Sequence, residues 1–326
     1  MNQQKIPVVA VAGPTASGKT ALAILLAERL GGEVVSADSM QVYRGMDIAT
    51  AKPAPEEMRG IPHHLIGCVG PEEPYSLGRY AADAHAAVAD IAARGKVPIL
   101  CGGTGLYLDT VLDSRDIGET GSDPAVRREL SALAAEKGGG FLLEMLREFD
   151  PETAASLHEN NLPRIIRAIE VYRLSGMTMS ALQKKSREAP ERYRALRIGI
   201  AYKDRAVLYD RINRRVDLMM EQGLLEEAGA FREARLETSA QAIGYKELFP
   251  YLEGEKSLPE CLESLKQATR RYAKRQLTWF RRDERIYWVY PDEAGPEAAQ
   301  NRALGLAERF LSGELLEKPE KLGREC

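Results

Sequence analysis

Apolar residues gather into short runs at Pro7–Ala12, Glu33–Ala37, Val97–Cys101, Arg197–Tyr202 and Ile286–Tyr290, each the length of a buried strand. The first three alternate with segments of helical period, Ala21–Leu30 and Gly78–Arg94, which predicts a parallel sheet with helices on its faces. From Arg115 to Arg194 the strand signal vanishes. Asp123-Pro124 pairs an N-cap with a proline at the first helical position and opens a helix over Ala125–Glu136, which Gly138-Gly139-Gly140 ends. More helices are predicted over Phe141–Phe149, Pro151–Ser156, Leu162–Ser175 and Met179–Lys185. After this block Asp204 caps a helix reaching Gln222, with an apolar stripe at Val207, Leu208, Ile212, Val216, Met219 and Met220. Another helix spans Leu258–Trp279. The expected organisation is an α/β core over 1–114, an all-helical insertion over 115–194, the core resuming over 195–311, and a polar, frayed tail over 312–326.

Directly after the first strand run, residues 13–20 read Gly-Pro-Thr-Ala-Ser-Gly-Lys-Thr. This is a G-x-x-x-x-G-K-T phosphate loop in its strand–loop–helix setting, so the core is expected to be P-loop NTPase-like. Backbone N–H groups of Gly13, Thr15, Ala16, Ser17 and Gly18 and the following helix N-terminus suit a diphosphate. Lys19 reaches a terminal phosphate and the Thr20 hydroxyl ligates Mg²⁺.

An ATPase adds an apolar strand ending in Asp to hold the metal shell. Here the candidate strand Val97–Cys101 runs instead into Gly102-Gly103-Thr104-Gly105. The nearest carboxylate at a strand end is Asp38, followed by Ser39, beside the phosphate loop at the carboxyl edge of the sheet. It is either a turn-capping Asp or a group that takes a proton from an acceptor. Thr104 puts a hydroxyl at the same edge or simply occupies a turn. Arg211 and Arg215 border the stripe of their helix and either neutralise a diphosphate or cover core surface. His63-His64 lacks partners at ligand spacing and reads as structural.

Composition narrows the class. With 44% apolar and 29% charged residues the chain is ordinary for a soluble globular protein, and no apolar run approaches the ~20 residues of a membrane span. Met1–Pro7 leads straight into a strand, which argues against a signal peptide. Cys68, Cys101, Cys261 and Cys326 are scattered and read as reduced thiols of a cytoplasmic protein. The net charge of −3 argues against a polyanion partner, but the charge is segregated: Ser264–Arg285 holds eight Lys/Arg against two Asp/Glu, and Asn161–Arg197 nine against three. Two local excesses of that size suit nucleic-acid phosphates.

Several separated strings resemble one family. They are the phosphate loop, Ser-Ala-Asp-Ser-Met-Gln-Val-Tyr-Arg-Gly-Met-Asp-Ile-Ala-Thr-Ala-Lys-Pro (36–53), Pro-His-His-Leu (62–65) and Gly-Gly-Thr-Gly-Leu-Tyr (102–107). Pro-Arg-Ile-Ile-Arg-Ala-Ile-Glu (163–170), Gln-Ala-Ile-Gly-Tyr (241–245) and Tyr-Ala-Lys-Arg-Gln-Leu-Thr-Trp-Phe-Arg (272–281) complete the set. Together they are similar to the tRNA dimethylallyltransferases over about residues 6 to 292. The resemblance implies Mg²⁺-dependent transfer of a dimethylallyl group from its diphosphate to N6 of the adenine 3′ of the anticodon. It implies Asp38 as general base, with Thr104 and Arg211 assisting. It places tRNA against Asp38, Ser39, Met40, Gln41 and Thr104, and against Arg127 and Leu162, Pro163, Arg164, Ile165, Ile166 and Arg167 of the insertion. The late helix would add Arg270, Arg271, Lys274 and Arg275 toward tRNA phosphates, with Trp279 read as core. A monomer suffices for such chemistry. The rivals are an isopentenyltransferase for free adenine nucleotides, a small-metabolite kinase and a non-enzymatic phosphate-binding module. The first of these needs neither the insertion nor the basic segments.

Overall fold

The computed structural model describes residues 5–115, 121–188, 190–234 and 242–323. Gln241 and Cys326, named above, lie outside them. Among the described residues six strands form one all-parallel sheet: β1 (Ile6–Ala12), β2 (Gly32–Ser36), β3 (His63–His64), β4 (Val97–Gly102), β5 (Tyr193–Ile200) and β6 (Ile286–Val289). Their order is β3-β2-β4-β1-β5-β6. The apolar strand β1 therefore lies between β4 and β5, with Val8, Val9 and Val11 fully buried. Runs this apolar follow from burial on both faces.

Helices α1 (Lys19–Leu30), α2 (Leu77–Ala93) and α3 (Gly105–Leu112) follow β1, β3 and β4. The helical segment then contains α4 (Pro124–Lys137), α5 (Gly139–Phe149), α6 (Pro151–Ala155), α7 (Leu162–Ser175) and α8 (Met179–Arg187). After β5 come α9 (Arg205–Glu221), α10 (Leu224–Glu233), α11 (Phe249–Leu252) and α12 (Leu258–Phe280), and after β6 comes α13 (Pro296–Leu311). The chain divides into two compact units: one takes residues up to Leu112 and from Arg192 onward, the other Asp113–Glu191. The second has its own core of Leu130, Leu142, Leu146, Ile165 and Ile169.

The α/β expectation holds, with local corrections. β5 starts four residues before the predicted Arg197, so Tyr193 and Arg194 pair with Ile6 and Pro7 in the sheet rather than closing the helical block. The triple glycine is a junction: Gly138 ends α4, while Gly139 and Gly140 begin α5. α3 was not among the predicted helices: Tyr107, Leu108, Thr110, Val111 and Leu112 are all buried, which leaves no amphipathic stripe to detect. α13 packs through Ala299, Ala303, Ala307 and Phe310, a weakly apolar stripe. The tail is not frayed through its described part. Leu322 is buried, Leu316 packs on the core, the Tyr287 hydroxyl donates to the Glu317 carbonyl (2.7 Å) and Lys321 pairs with Glu284 at 2.5 Å. Two spaced leucines in a polar stretch are enough to seat it.

Candidate active site

Three neighbouring strands, β2, β4 and β1, deliver their following loops to one sheet edge. The loop after β1 is the phosphate loop. Ala16 adopts φ 61° and Gly18 φ 94°, left-handed conformations that bend the chain before α1; glycine accepts the second without strain. The first-turn N–H groups of α1 have no partner within the helix and face the loop's mouth. Lys19 Nζ lies 3.4 Å from the Pro14 carbonyl. Burial holds its ammonium below the usual lysine range, and Arg215 pushes the same way while Asp38 opposes. Ser17, 2% exposed, buries a hydroxyl with no hydrogen-bond partner among the described residues. An orphaned buried hydroxyl is costly unless a ligand satisfies it.

Other elements brace the loop. From α9, Arg211 Nε donates to the Ala16 carbonyl (2.9 Å), its guanidinium lies over the Tyr202 ring, and Nη2 lies beside Gly18. The Tyr202 hydroxyl donates to the Ser17 carbonyl at 3.1 Å. Arg215 sits one turn further along α9, its guanidinium pKa lowered by burial and raised by Asp38. Gln276 of α12, 6% exposed, accepts from the Thr15 N–H (2.8 Å) and donates to the Gly103 carbonyl (3.0 Å). A side chain on Gly103 would come 2.2 Å from Gln276 Nε2, which explains the glycine. Sequence reasoning gave Gln276 no role, because its partners lie far away along the chain.

Asp38 follows β2. Its Oδ1 accepts the N–H groups of Met40 (2.9 Å) and Gln41 (3.3 Å), so the turn-capping reading is correct as far as that oxygen goes. Oδ2 takes no hydrogen bond among the described residues. Thr104 caps α3, and its Oγ1 accepts from the Ser39 N–H at 3.2 Å. Tyr272 of α12 reaches Thr104 and Gln276, and burial together with Asp38 raises its phenol pKa. Cys101 is buried beside this group, its thiol pushed up to about 12 by desolvation and so inert as a nucleophile.

Several residues expected to touch tRNA are otherwise engaged. Gln41 Nε2 donates to the carbonyls of Thr50 (3.1 Å) and Ala51 (3.2 Å). Ile165 is fully buried in the helical unit, so its side chain cannot reach a ligand, while Pro163 and Arg164 beside it are exposed. Arg127 grips the fully buried Glu170 with two bonds (2.8 and 3.0 Å), and Arg167 adds a third at 2.6 Å. Burial alone would raise the Glu170 pKa, but these arginines and the Asp123 N–H hold it below the carboxylate range. Arg270 binds Asn213 and Glu263, both at 2.8 Å.

Arg271, Lys274, Arg275 and Arg282 differ, having no carboxylate partner among the described residues. The first three are spaced along one face of α12 and Arg282 follows just beyond its end; together they line a surface concavity of about 440 Å³ with Thr278 and Trp279. Trp279 is only half-buried, and its Nε1 donates to Asp109 at 2.9 Å; Asp109 in turn meets the buried Arg197.

Among the described residues no group of three or more His, Cys, Asp or Glu is placed to hold a metal ion. An ion bound here would draw its oxygens from the diphosphate and the Thr20 hydroxyl, which makes no hydrogen bond among the described residues. That donor set fits Mg²⁺, which keeps most of its shell as water and phosphate.

A family model described as IPP transferase matches residues 41–283, and one described as isopentenyl transferase matches residues 6–66. The tRNA dimethylallyltransferase of Acetivibrio thermocellus is 48% identical over 289 residues, 88% of this chain and 92% of that one. That of Geobacillus thermodenitrificans is 48% identical over 310 residues, 94% and 97% of the two chains. Among solved structures, the tRNA isopentenylpyrophosphate transferase of Bacillus halodurans matches with a TM-score of 0.69 at 42% identity, covering 94% of this chain and 99% of that one. A eukaryotic dimethylallyltransferase acting on tRNA matches with a TM-score of 0.81 at 30% identity, covering 97% and 82%. With the phosphate loop, Asp38 and Thr104 gathered at one sheet edge, these likenesses establish that the chain belongs to the IPP transferase family of tRNA dimethylallyltransferases.

Proposed function

We propose that the chain transfers a dimethylallyl group from dimethylallyl diphosphate to N6 of the adenine 3′ of the anticodon in tRNA, releasing diphosphate. The observation that carries this reading is the placement of a carboxylate, Asp38, next to a complete phosphate loop that lacks the strand-end Asp of an ATPase. The donor's allylic C–O bond breaks and its electron pair leaves on the diphosphate. Loop amides, Lys19, Arg211 and Arg215 take up that charge where it develops. Thr20 would hold Mg²⁺ together with the diphosphate, and the ion would supply further charge neutralisation.

The N6 lone pair forms the new C–N bond. That nitrogen is a poor nucleophile because its lone pair is delocalised into the ring, so loss of its proton to Asp38 during attack lowers the barrier. Thr104, linked to Ser39 and near Tyr272, lies where the acceptor would be oriented. The adenine must leave the anticodon stack to reach these groups. Ser39 and Met40, with Arg271, Lys274 and Arg275, are the side chains we assign to tRNA on the α/β unit, and Leu162, Pro163, Arg164 and Ile166 on the helical unit. Every group named for bond making comes from one unit, so a monomer suffices. No helix among the described residues is long and apolar enough to cross a membrane, and free thiols at Cys68, Cys101 and Cys261 suit a reducing cytoplasm.

The test is incubation with radiolabelled dimethylallyl diphosphate, Mg²⁺ and unmodified tRNA, followed by digestion and identification of the labelled nucleoside. Label in N6-dimethylallyladenosine from the position 3′ of the anticodon is expected. Label on free adenine nucleotides but not on tRNA would replace the acceptor, and no transfer to either would remove the reading.

A further inference from the structure

Within the stretch between Asp38 and Ala51, residues 47–49 are held from outside by one carboxylate. Glu227 of α10 accepts the N–H groups of Asp47 (3.0 Å) and Ile48 (2.8 Å) on Oε2. Its Oε1 accepts the Ala49 N–H (2.9 Å) and the Tyr245 hydroxyl (2.8 Å). Three successive peptide N–H groups converging on an anion form the concave donor arrangement that turns use to bind phosphate. Here a side chain fills it, with charge-assisted bonds.

From that anchor an unbroken series of bonds leads to Asp38. Gln41 Nε2 donates to the Thr50 and Ala51 carbonyls, next to the anchored residues. Asp38 Oδ1 accepts the Gln41 and Met40 N–H groups. The turn that directs the Asp38 carboxylate is thus tied at its far end to Glu227, while the Gly67 and Val69 N–H groups, donating to the Gln41 and Val42 carbonyls (2.9 and 3.0 Å), hold its middle. The stretch keeps other bonds, one of its own from Thr50 Oγ1 to the Met46 carbonyl (2.6 Å) and one from Lys52 Nζ just beyond it to the Tyr43 carbonyl (2.8 Å). Loss of the anchor therefore shifts the stretch without unfolding it.

We propose that Glu227, braced by Tyr245, is a positioning residue for prenyl transfer: it fixes residues 38–51 so that Asp38 meets the acceptor nitrogen. This inference rests on the reading of Asp38 as the base. Glu227→Gln keeps the volume but turns one acceptor into an NH₂ group facing donors. The experiment measures single-turnover transfer to tRNA for the wild type, E227Q, D38N and the double variant, with inorganic pyrophosphate affinity measured alongside.

E227Q is expected to slow transfer about 10- to 100-fold, the scale of a misplacement near 1 Å, with pyrophosphate affinity unchanged. In the D38N background it is expected to cost nothing further, because the residue acts through Asp38. Tyr245→Phe removes one of four donors and is expected to give a smaller loss of the same kind. A wild-type rate in E227Q overturns the proposal, as does an undiminished E227Q loss in the D38N background, which is what a merely structural anchor produces. A wild-type rate in D38N overturns the base assignment itself.

Discussion

At the residue scale the site divides into what a short motif announces and what only folding assembles. Gly13 to Thr20 were legible because phosphate binding needs contiguous backbone, and contiguous backbone is written contiguously. Asp38 was legible because a strand end next to that loop is where α/β sheets keep chemistry. Gln276 and Glu227 were not, since each acts on backbone some 180 to 260 residues away: Gln276 on Thr15, Glu227 on Asp47 to Ala49. The double duty of Asp38 makes its test clean. In Asp38→Asn the amide oxygen can still accept from Met40 and Gln41, so the turn survives while the proton acceptor is gone. Turnover is expected to fall by ~10²–10⁴-fold with little change in tRNA or pyrophosphate affinity. Kinetics on purified D38N check this, and near-normal turnover removes Asp38 from the base role. Lys19→Ala is expected to do the converse, weakening pyrophosphate competition against the donor as well as the rate.

At the element scale, the alternation of apolar runs with helical segments gave the parallel sheet, and the capping pairs gave the helical unit. What stayed hidden were elements whose pattern is blurred by burial on all sides, as in α3, or by small residues, as in α13. The two-residue strand β3 was also missed, and with it the role of His64. Glu33, buried at the start of β2, gathers Arg94 from the end of α2, Lys96 just before β4 (2.8 Å) and His64 of β3 (2.7 Å). The Arg94 hydrogen bond, helped by Lys96 and His64, outweighs burial and holds the Glu33 pKa well below the usual carboxylate range. A folded pKa below the unfolded value means stability that is present above the unfolded pKa and lost as pH falls toward the folded one. Glu33→Gln is therefore expected to cost about 1.5–3 kcal/mol at pH 7, the worth of hydrogen bonds to a charged group. The gap to wild type should persist down to about pH 5, begin to narrow near pH 4.3, where the unfolded carboxylate takes up its proton, and close only as pH nears the folded pKa. Thermal melts of both proteins across that range decide it; a gap that does not close would mean the charge of Glu33 is not what ties these elements together.

At the scale of the whole molecule, a chain of net charge −3 is assigned a polyanionic substrate, and the distribution of charge resolves the conflict. Counting charges along the sequence located two basic segments but could not tell working cations from committed ones. The structure does so by pairing: Arg127 and Arg167 are bound to Glu170, and Arg270 to Glu263, whereas Arg271, Lys274, Arg275 and Arg282 have no carboxylate partner among the described residues. A paired arginine adds little field beyond its partner, so tRNA phosphates should read the second group. Each phosphate contact releases condensed counterion, and the log–log salt slope of affinity counts those contacts at about 0.9 each on a duplex and about 0.7 on a single strand. Arg271→Ala is expected to flatten the slope by up to about one unit, leaving pyrophosphate affinity unchanged. Arg167→Ala should instead leave the slope nearly as it was and destabilise the helical unit, because it strips a partner from a buried carboxylate. Binding of tRNA across a salt series, with limited proteolysis of both variants, separates the two effects. If Arg167→Ala flattened the slope and Arg271→Ala did not, pairing would be the wrong guide, and the tRNA grip would lie on the helical unit rather than on α12.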